Sequence, residues 1–222
     1  LIARDIDDFN ISSCVLRRRS QYRLYYSTAA EQPSQSKGII GTLAQNGFEW
    51  SETQGIQAAS IVSDFNSAGI EKIYHGDNSG YIYNHDTGGA FSAAGSAFNI
   101  EAKYTTPFLD FGDAGTRKTM KYLKLSVSPE GELAPTLRTQ YDFTDKDVAQ
   151  PEDVVLAGIP VPPVFGTATF GNAIFEGTND PMARQILEGS GHTVSFQIRT
   201  EDQRPPYSIN GLYINYVPSG RR

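Results

Sequence analysis

Apolar and polar residues alternate along much of the chain with a period of two. That spacing puts one face of a β-strand against a core. In Gln21 to Ser27, Tyr22, Leu24 and Tyr26 share one face, and Arg23 and Tyr25 share the other. Lys37 to Leu43 and Ala58 to Phe65 predict two more strands. Ile73-Tyr74-His75 and Tyr81-Ile82-Tyr83 flank Gly76-Asp77-Asn78-Ser79-Gly80, which predicts a hairpin whose turn residues tolerate positive φ. Asp86-Thr87-Gly88-Gly89 then ends the return strand. Roughly six strands fit before residue 90, about two propeller blades at ~40–45 residues each. Two blades cannot close a ring. The expectation is that further chain or partner subunits complete it.

A small, polar, glycine-rich stretch at residues 88–99 places a boundary near residue 97. Beyond it the strands lengthen: Ile100 to Phe108, Lys121 to Ser128, and Leu137 to Phe143, with Pro129-Glu130-Gly131-Glu132 as a turn. His192 to Arg199 alternates Val194, Phe196 and Ile198 against polar residues. Ile209 to Val217 carries apolar residues at both parities and reads as a strand buried on both faces. Residues 182–187 are read as a strand at Ala183 to Leu187, not as a helix opened by Asp180-Pro181, with Gly189-Ser190-Gly191 turning it into the strand from His192. The fold class is therefore all-β: incomplete propeller-like blades over 1–97, then an antiparallel β-sandwich platform over 98–222. A long Pro/Phe/Gly loop at 149–180 interrupts the platform. Its Phe165, Phe170 and Phe175 recur every five residues and need burial, for which a neighbouring subunit is the candidate.

Composition narrows the function classes. The 222 residues carry a net charge of -6, shared evenly between the halves, which argues against a general nucleic-acid-binding surface. One cysteine, Cys14, leaves no internal disulfide framework and no multi-cysteine metal site. No run of about 18 apolar residues is present, so no membrane insertion by this chain is expected. Residue 1 is Leu, which fits a chain cut from a longer translation product.

Candidate chemistry is sparse. With the hairpin centred on Asn78-Ser79, His75 falls opposite Ile82 and His85 opposite Lys72, so the two histidines are not neighbours and a zinc site is not expected. Asp77-Asn78-Ser79-Gly80 lacks the alternating acids and closing Glu of a calcium loop and reads as a side-chain-capped turn. Gly166 to Gly171 has the first spacing of a phosphate loop, but Asn172-Ala173 follow where Lys-Ser/Thr is needed. Asp64, Asp77, Asp110, Asp142, Asp145 and Asp147 are scattered through turns; a glycosidase would need two of them to converge. Arg17, Arg18 and Arg19 form the one run of three like charges, read as a solvated turn or as a partner contact. No catalytic constellation and no cofactor are expected, and a structural or binding role is favoured over an enzymatic one.

Four stretches together carry a family likeness: Arg17 to Tyr26, Ile73 to Tyr83, Tyr104 to Gly112 with Arg117-Lys118, and Pro206 to Tyr216. The chain resembles the C-terminal part of the tail nozzle (tail tubular) proteins of short-tailed bacteriophages. Known nozzle chains are much longer. The resemblance implies a propeller joined to a sandwich platform, and a homo-oligomeric ring, usually of about six copies. It also implies a virion protein of the tail, assembled in the host cytoplasm below the portal and its adaptor protein. Such a ring continues the DNA channel, retains and then releases the genome, and docks tail fibres or spikes. Double-stranded DNA only passes through, and a lumen that held phosphate strongly would brake it, so an acidic or mixed channel is expected. On this view Arg17, Arg18, Arg19, Phe165, Phe170 and Phe175 are candidates for subunit interface or channel. The alternative is a carbohydrate-binding or carbohydrate-cleaving receptor-recognition module of a phage tail.

Overall fold

The computed structural model describes residues 9–28, 36–93, 96–156, 159 and 182–221. Among them there is no α-helix, and the strands form several antiparallel sheets. The chain divides into two compact units, Leu1–Phe98 and Asn99–Arg222.

In the first unit, β1 (Phe9–Leu16), β2 (Gln21–Thr28), β3 (Lys37–Ala44) and β4 (Gly47–Gln54) form a four-stranded sheet in chain order. β5 (Ser60–Phe65), β6 (Glu71–Gly76) and β7 (Ile82–Asn84) form a three-stranded sheet, also in chain order. β8 (Phe91–Ala93) and β9 (Ser96–Phe98) make a hairpin of their own. Asn46 in the β3–β4 turn, Asn66 and Gly69 between β5 and β6, and Asp77 and Gly80 between β6 and β7 suit the tight turns that let these strands pair with the next.

The second unit is built from two larger sheets. β10 (Ile100–Thr105), β16 (Val194–Asp202), β12 (Thr136–Tyr141) and β13 (Val154–Val155) lie in that order. In the other sheet β11 (Thr116–Pro129) is central. β17 (Tyr207–Arg221) runs along one edge of it, and β14 (Met182–Ile186) and β15 (Ser190–Gly191) share the other. Both sheets contribute to one apolar cluster: Leu123, Leu125 and Val127 from β11, Leu137 and Tyr141 from β12, Val194, Phe196 and Ile198 from β16.

Several sequence expectations change here. The strand expected to reach Phe143 stops at Tyr141, because Asp142, Phe143 and Thr144 all adopt positive φ (47°, 56° and 60°) in a single 3-10 turn. The Asp142 carboxylate accepts the N–H groups of His192 and Thr193 at 2.7 and 2.8 Å and so fixes the entry to β16. Pro129-Glu130-Gly131-Glu132 does not join paired strands; it carries the chain from the β11 sheet to the β12 sheet. Ser190-Gly191 pairs with β11 as β15, and β16 starts only at Val194.

β17 is not buried on both faces. Its pairing with β11 shifts between Ser126↔Gly211 and Val127↔Ile209, leaving Asn210 as an extra residue. This bulge swaps the inward parity, from Tyr207 and Ile209 to Leu212, Ile214 and Tyr216, all of which pack on the core. Tyr213 and Val217 face out and are exposed. Apolar residues at both parities were one inward face interrupted by a bulge.

Candidate functional site

The most unusual surface of the molecule is one face of the β1–β4 sheet. Cross-strand partners point to the same side, so the register sets the rows: Ile11 with Tyr26, Ser13 with Leu24, Val15 with Tyr22. The rows continue through Tyr22 with Gly41 and Leu24 with Ile39, and then Ile39 with Glu52, Gly41 with Trp50 and Leu43 with Phe48. The first row runs on through Tyr26 with Lys37 and Lys37 with Gln54, so the face is mainly apolar with Ser13, Lys37, Glu52 and Gln54 set into it. It is turned to solvent: Ile11, Val15, Leu43 and Phe48 are exposed, and Trp50 is 61% exposed. The Trp50 ring lies on Gly41, where a Cβ would sit 2.7 Å from it. The Phe48 ring stacks on it with centroids 5.5 Å apart. Gly41 therefore seats the indole against the sheet while its outer surface stays bare.

On the opposite face of the same sheet Cys14, Leu16, Arg23 and Tyr25 are buried, while Glu49 and Ser51 of β4 stay exposed. Arg23, 5% exposed, makes two hydrogen bonds to the Asp86 carboxylate at 3.1 and 2.9 Å and two more to Gln21. Arg19 meets the same carboxylate at 3.0 Å. Burial alone would raise the Asp86 carboxyl, but its bonds to Arg23 hold it below the ordinary carboxylate range. Burial pushes the Tyr25 phenol up to about 12. Burial also raises the Cys14 thiol, which leaves it an unreactive core group.

Beside this pair, His75 Nδ1 and His85 Nε2 stand 2.5 Å apart, with Tyr83 stacked on His75 and Tyr25 edge-on to His85. One proton lies between the two nitrogens, so one ring stays neutral. His85 is pushed down to about 4 by burial, His75 and Arg23; His75 is lowered by burial. The histidines are thus neighbours, contrary to the expected register. The hairpin loop has three residues, Asn78-Ser79-Gly80, with Gly80 at φ +87°, so His75 pairs with Tyr83. A slip of one residue moves a side chain to the other face. Glycine in the third loop position was the available signal. The pair recruits no third ligand: among the described residues no group of three His, Cys, Asp or Glu side chains is placed to hold a metal ion.

The remaining sequence candidates fall as follows. Arg17, Arg18 and Arg19 form the exposed β1–β2 turn. The Arg17 and Arg18 N–H groups each donate to the Glu71 carboxylate at 3.0 Å, which lowers the Glu71 carboxyl, and both guanidinium groups lie 6.0 Å from the Phe65 ring. Phe165, Phe170 and Phe175 lie outside the described residues. Asp77 caps its turn through the N–H groups of Ser79 and Tyr81 and also accepts from the Tyr83 hydroxyl. Asp64, Asp110 and Asp145 accept nearby backbone N–H groups in the same way.

Two depressions mark the second unit. One, of about 330 Å³, is lined by Arg138, Asp153, Gln197, Arg199, Glu201 and Arg204 among others. Its arginines are paired: Arg138 with Asp153 at 2.7 Å, Arg199 with Glu101 at 2.9 Å, Arg204 with Glu132 at 3.1 Å. The second, of about 220 Å³, opens on the outer face of the β14–β11–β17 sheet, between Tyr122, Lys124, Met182 and Tyr213. Sequence reasoning missed it, because Lys124 faces Arg184 on one side and Tyr213 on the other only through pairings with two distant strands.

No protein-family model matches the chain. No curated protein matches it either. No helix among the described residues is long and apolar enough to cross a membrane.

Proposed function

We propose that this chain is a structural subunit that works in a closed homo-oligomer, in the manner of the phage tail nozzle rings its sequence motifs resemble. The observation that carries the reading is the bare apolar face of the β1–β4 sheet. Four strands of eight residues present roughly 500 Å² of flat sheet, at ~4.8 Å between strands and ~3.4 Å per residue. A face of this size that is mainly apolar and exposed marks a contact surface on a protein that is not alone in its working state.

In the finer form of this reading, β1–β4 is one propeller-like blade, β5–β7 a second, and residues 99–222 a sandwich platform. The ring stands in the virion tail between the portal adaptor and the fibres or spikes, and double-stranded DNA passes through it. The net charge of -6 suits passage, since an acidic wall repels phosphate. No catalysis is assigned. The test is mass by light scattering together with negative-stain imaging of the full chain. A closed ring supports the reading; a monomer at tens of micromolar overturns it.

The carbohydrate reading has one observation in its favour, the polar depression around Arg138 and Arg199. It offers the donors and acceptors a sugar would use, but no aromatic ring lines it among the described residues. Its carboxylates Asp153 and Glu201 are engaged by arginines, which leaves them poorly suited to proton transfer. Glycan binding by a monomer would favour this second reading.

A further inference from the structure

We propose that the His75–His85 pair is an acid-operated latch: a second proton taken up by the pair releases residues 85–89 from Arg23 and Tyr25 of the β1–β4 sheet and leaves the strands themselves paired. The device needs no second copy and goes beyond the assembly reading.

The pair tolerates one added proton and not two. With both rings neutral, whichever nitrogen carries the shared proton donates it to the other across 2.5 Å. A first added proton can sit on the outer nitrogen of the donor ring, and the bond becomes charge-assisted. The next proton has only the accepting nitrogen left. Two N–H groups then face each other between two cations, walled by Tyr83 stacked on His75 and Tyr25 edge-on to His85. No hydrogen bond survives between them.

The surrounding charges do not relieve this. Beside His75 stand Asp77, from the β6–β7 turn, and the uncharged Ile61 of β5, its cross-strand partner. Beside His85 stand Arg23 and Tyr25 of β2 and its neighbour Asp86. The Asp86 carboxylate is already shared by Arg23 and Arg19, at 2.9 and 3.0 Å. Cys14 of β1 lies near Arg23 and Asp86, and burial keeps its thiol neutral. A second imidazolium therefore meets its partner ring and Arg23 as like charges.

The segment after β7 is the part that yields. Asp86 has φ 57°, a left-handed conformation that a side chain disfavours, so its contacts hold it against strain. Those contacts are the His85 N–H to the Ile73 carbonyl at 2.9 Å, the imidazole on His75, and the Asp86 carboxylate on the two arginines. Asp86, Thr87 and Gly88 are exposed, and Gly88, at φ 77°, gives the segment a pivot into water. β7 keeps its pairing with β6 through Ile82, Tyr83 and Asn84. Opening uncovers His75 and Arg23, which are buried while the latch is closed, and takes the carboxylate away from Arg23 and Arg19.

Amide exchange of the full chain, corrected for its intrinsic pH dependence, reads the latch directly. The His85 amide should be less protected than the amides of β2 at every pH. Its protection should fall by up to about tenfold per pH unit between pH 6.5 and 4, the interval in which an opened His85 takes a proton that the closed one refuses. His85→Gln and His75→Asn each keep a hydrogen-bonding atom in the same place and should remove most of that fall. In His75→Asn the amide can turn its oxygen towards a charged ring. His85→Lys carries the charge at neutral pH, and its residues 85–89 should exchange freely there while β2 stays protected. If the His85 amide and β2 exchange at one common rate at every pH, the segment leaves only with the whole unit and the latch is wrong. If the segment opens in acid but both neutral variants keep the full response, another group is the sensor and the proposal falls as well. A flat His85 profile across the same interval overturns it outright.

Discussion

The β1–β4 sheet and the two-sheet unit of residues 99–222 use the same alternating pattern to opposite ends. In the second unit the apolar parity turns inward, and among the described residues fourteen buried ones, from both sheets and the segments beside them, form one cluster. In the first unit the buried cluster is Cys14, Leu16 and Ile73, and the inward parity of β2 carries Arg23 beside Asp86 and the histidine pair. The apolar parity of that sheet faces out. A core of aliphatic side chains is self-sufficient, because burial of each costs nothing in unpaired polar groups. A polar interior holds only while every partner is present. The second unit therefore closes an aliphatic core of its own, whereas the first packs a polar interior and leaves large apolar side chains exposed.

The largest effect expected on either side is in the aliphatic core. Phe196→Ala should cost about 3–5 kcal/mol in guanidinium denaturation followed by circular dichroism. A cost below about 1 kcal/mol would show that this core is not what holds the second unit.

Arg23→Met should come next. It leaves the half-exposed Arg19 as the cation on the Asp86 carboxylate, and a cost of about 2–3 kcal/mol is expected, below the fully buried case because Asp86 is 30% exposed and keeps that partner. Restoring most of that loss with Asp86→Leu would show that the pair must be kept or removed together. A neutral single variant would dissolve the contrast between the two interiors.

Acid should then separate the units. The folded pKa of His85 lies near 4, below its ordinary 6.5, so the folded state takes up its proton later than the unfolded state. Stability of the first unit should be intact above pH 6.5 and fall between pH 6.5 and 4 by on the order of 2–3 kcal/mol. Asp86, lowered by Arg23, adds a loss in the same direction at lower pH. Denaturation followed by Trp50 emission reports this unit alone, and His85→Phe should flatten the dependence. The smallest effect belongs to the outward apolar face. Leu43→Ser should change the stability of the isolated chain by no more than about 0.5 kcal/mol while raising its solubility. A larger loss would mean that the face already has a cover.

Strand positions and parity were legible because alternation is a local signal. Tyr22, Leu24 and Tyr26 do share a face, as do Val194, Phe196 and Ile198. Which face is inside was not legible, since that depends on partners such as Asp86, 63 residues from Arg23. The histidine pair was lost to a single misplaced loop residue. The depression between Tyr122 and Tyr213 depends on pairing between β11 and strands that follow it by more than fifty residues.

The bulge at Asn210 has a genetic consequence. Side chains on either side of it point inward at opposite parities, so the strand is read in two frames joined at one residue. An in-frame loss of that single codon would set Ile209 and Gly211 side by side opposite Val127 and Ser126, and give both halves one parity with Tyr207, Ile209, Leu212, Ile214 and Tyr216 still inward. Loss of one residue elsewhere along the strand would instead turn a row of side chains to the other face. Length is therefore more freely varied at Asn210 than at its neighbours.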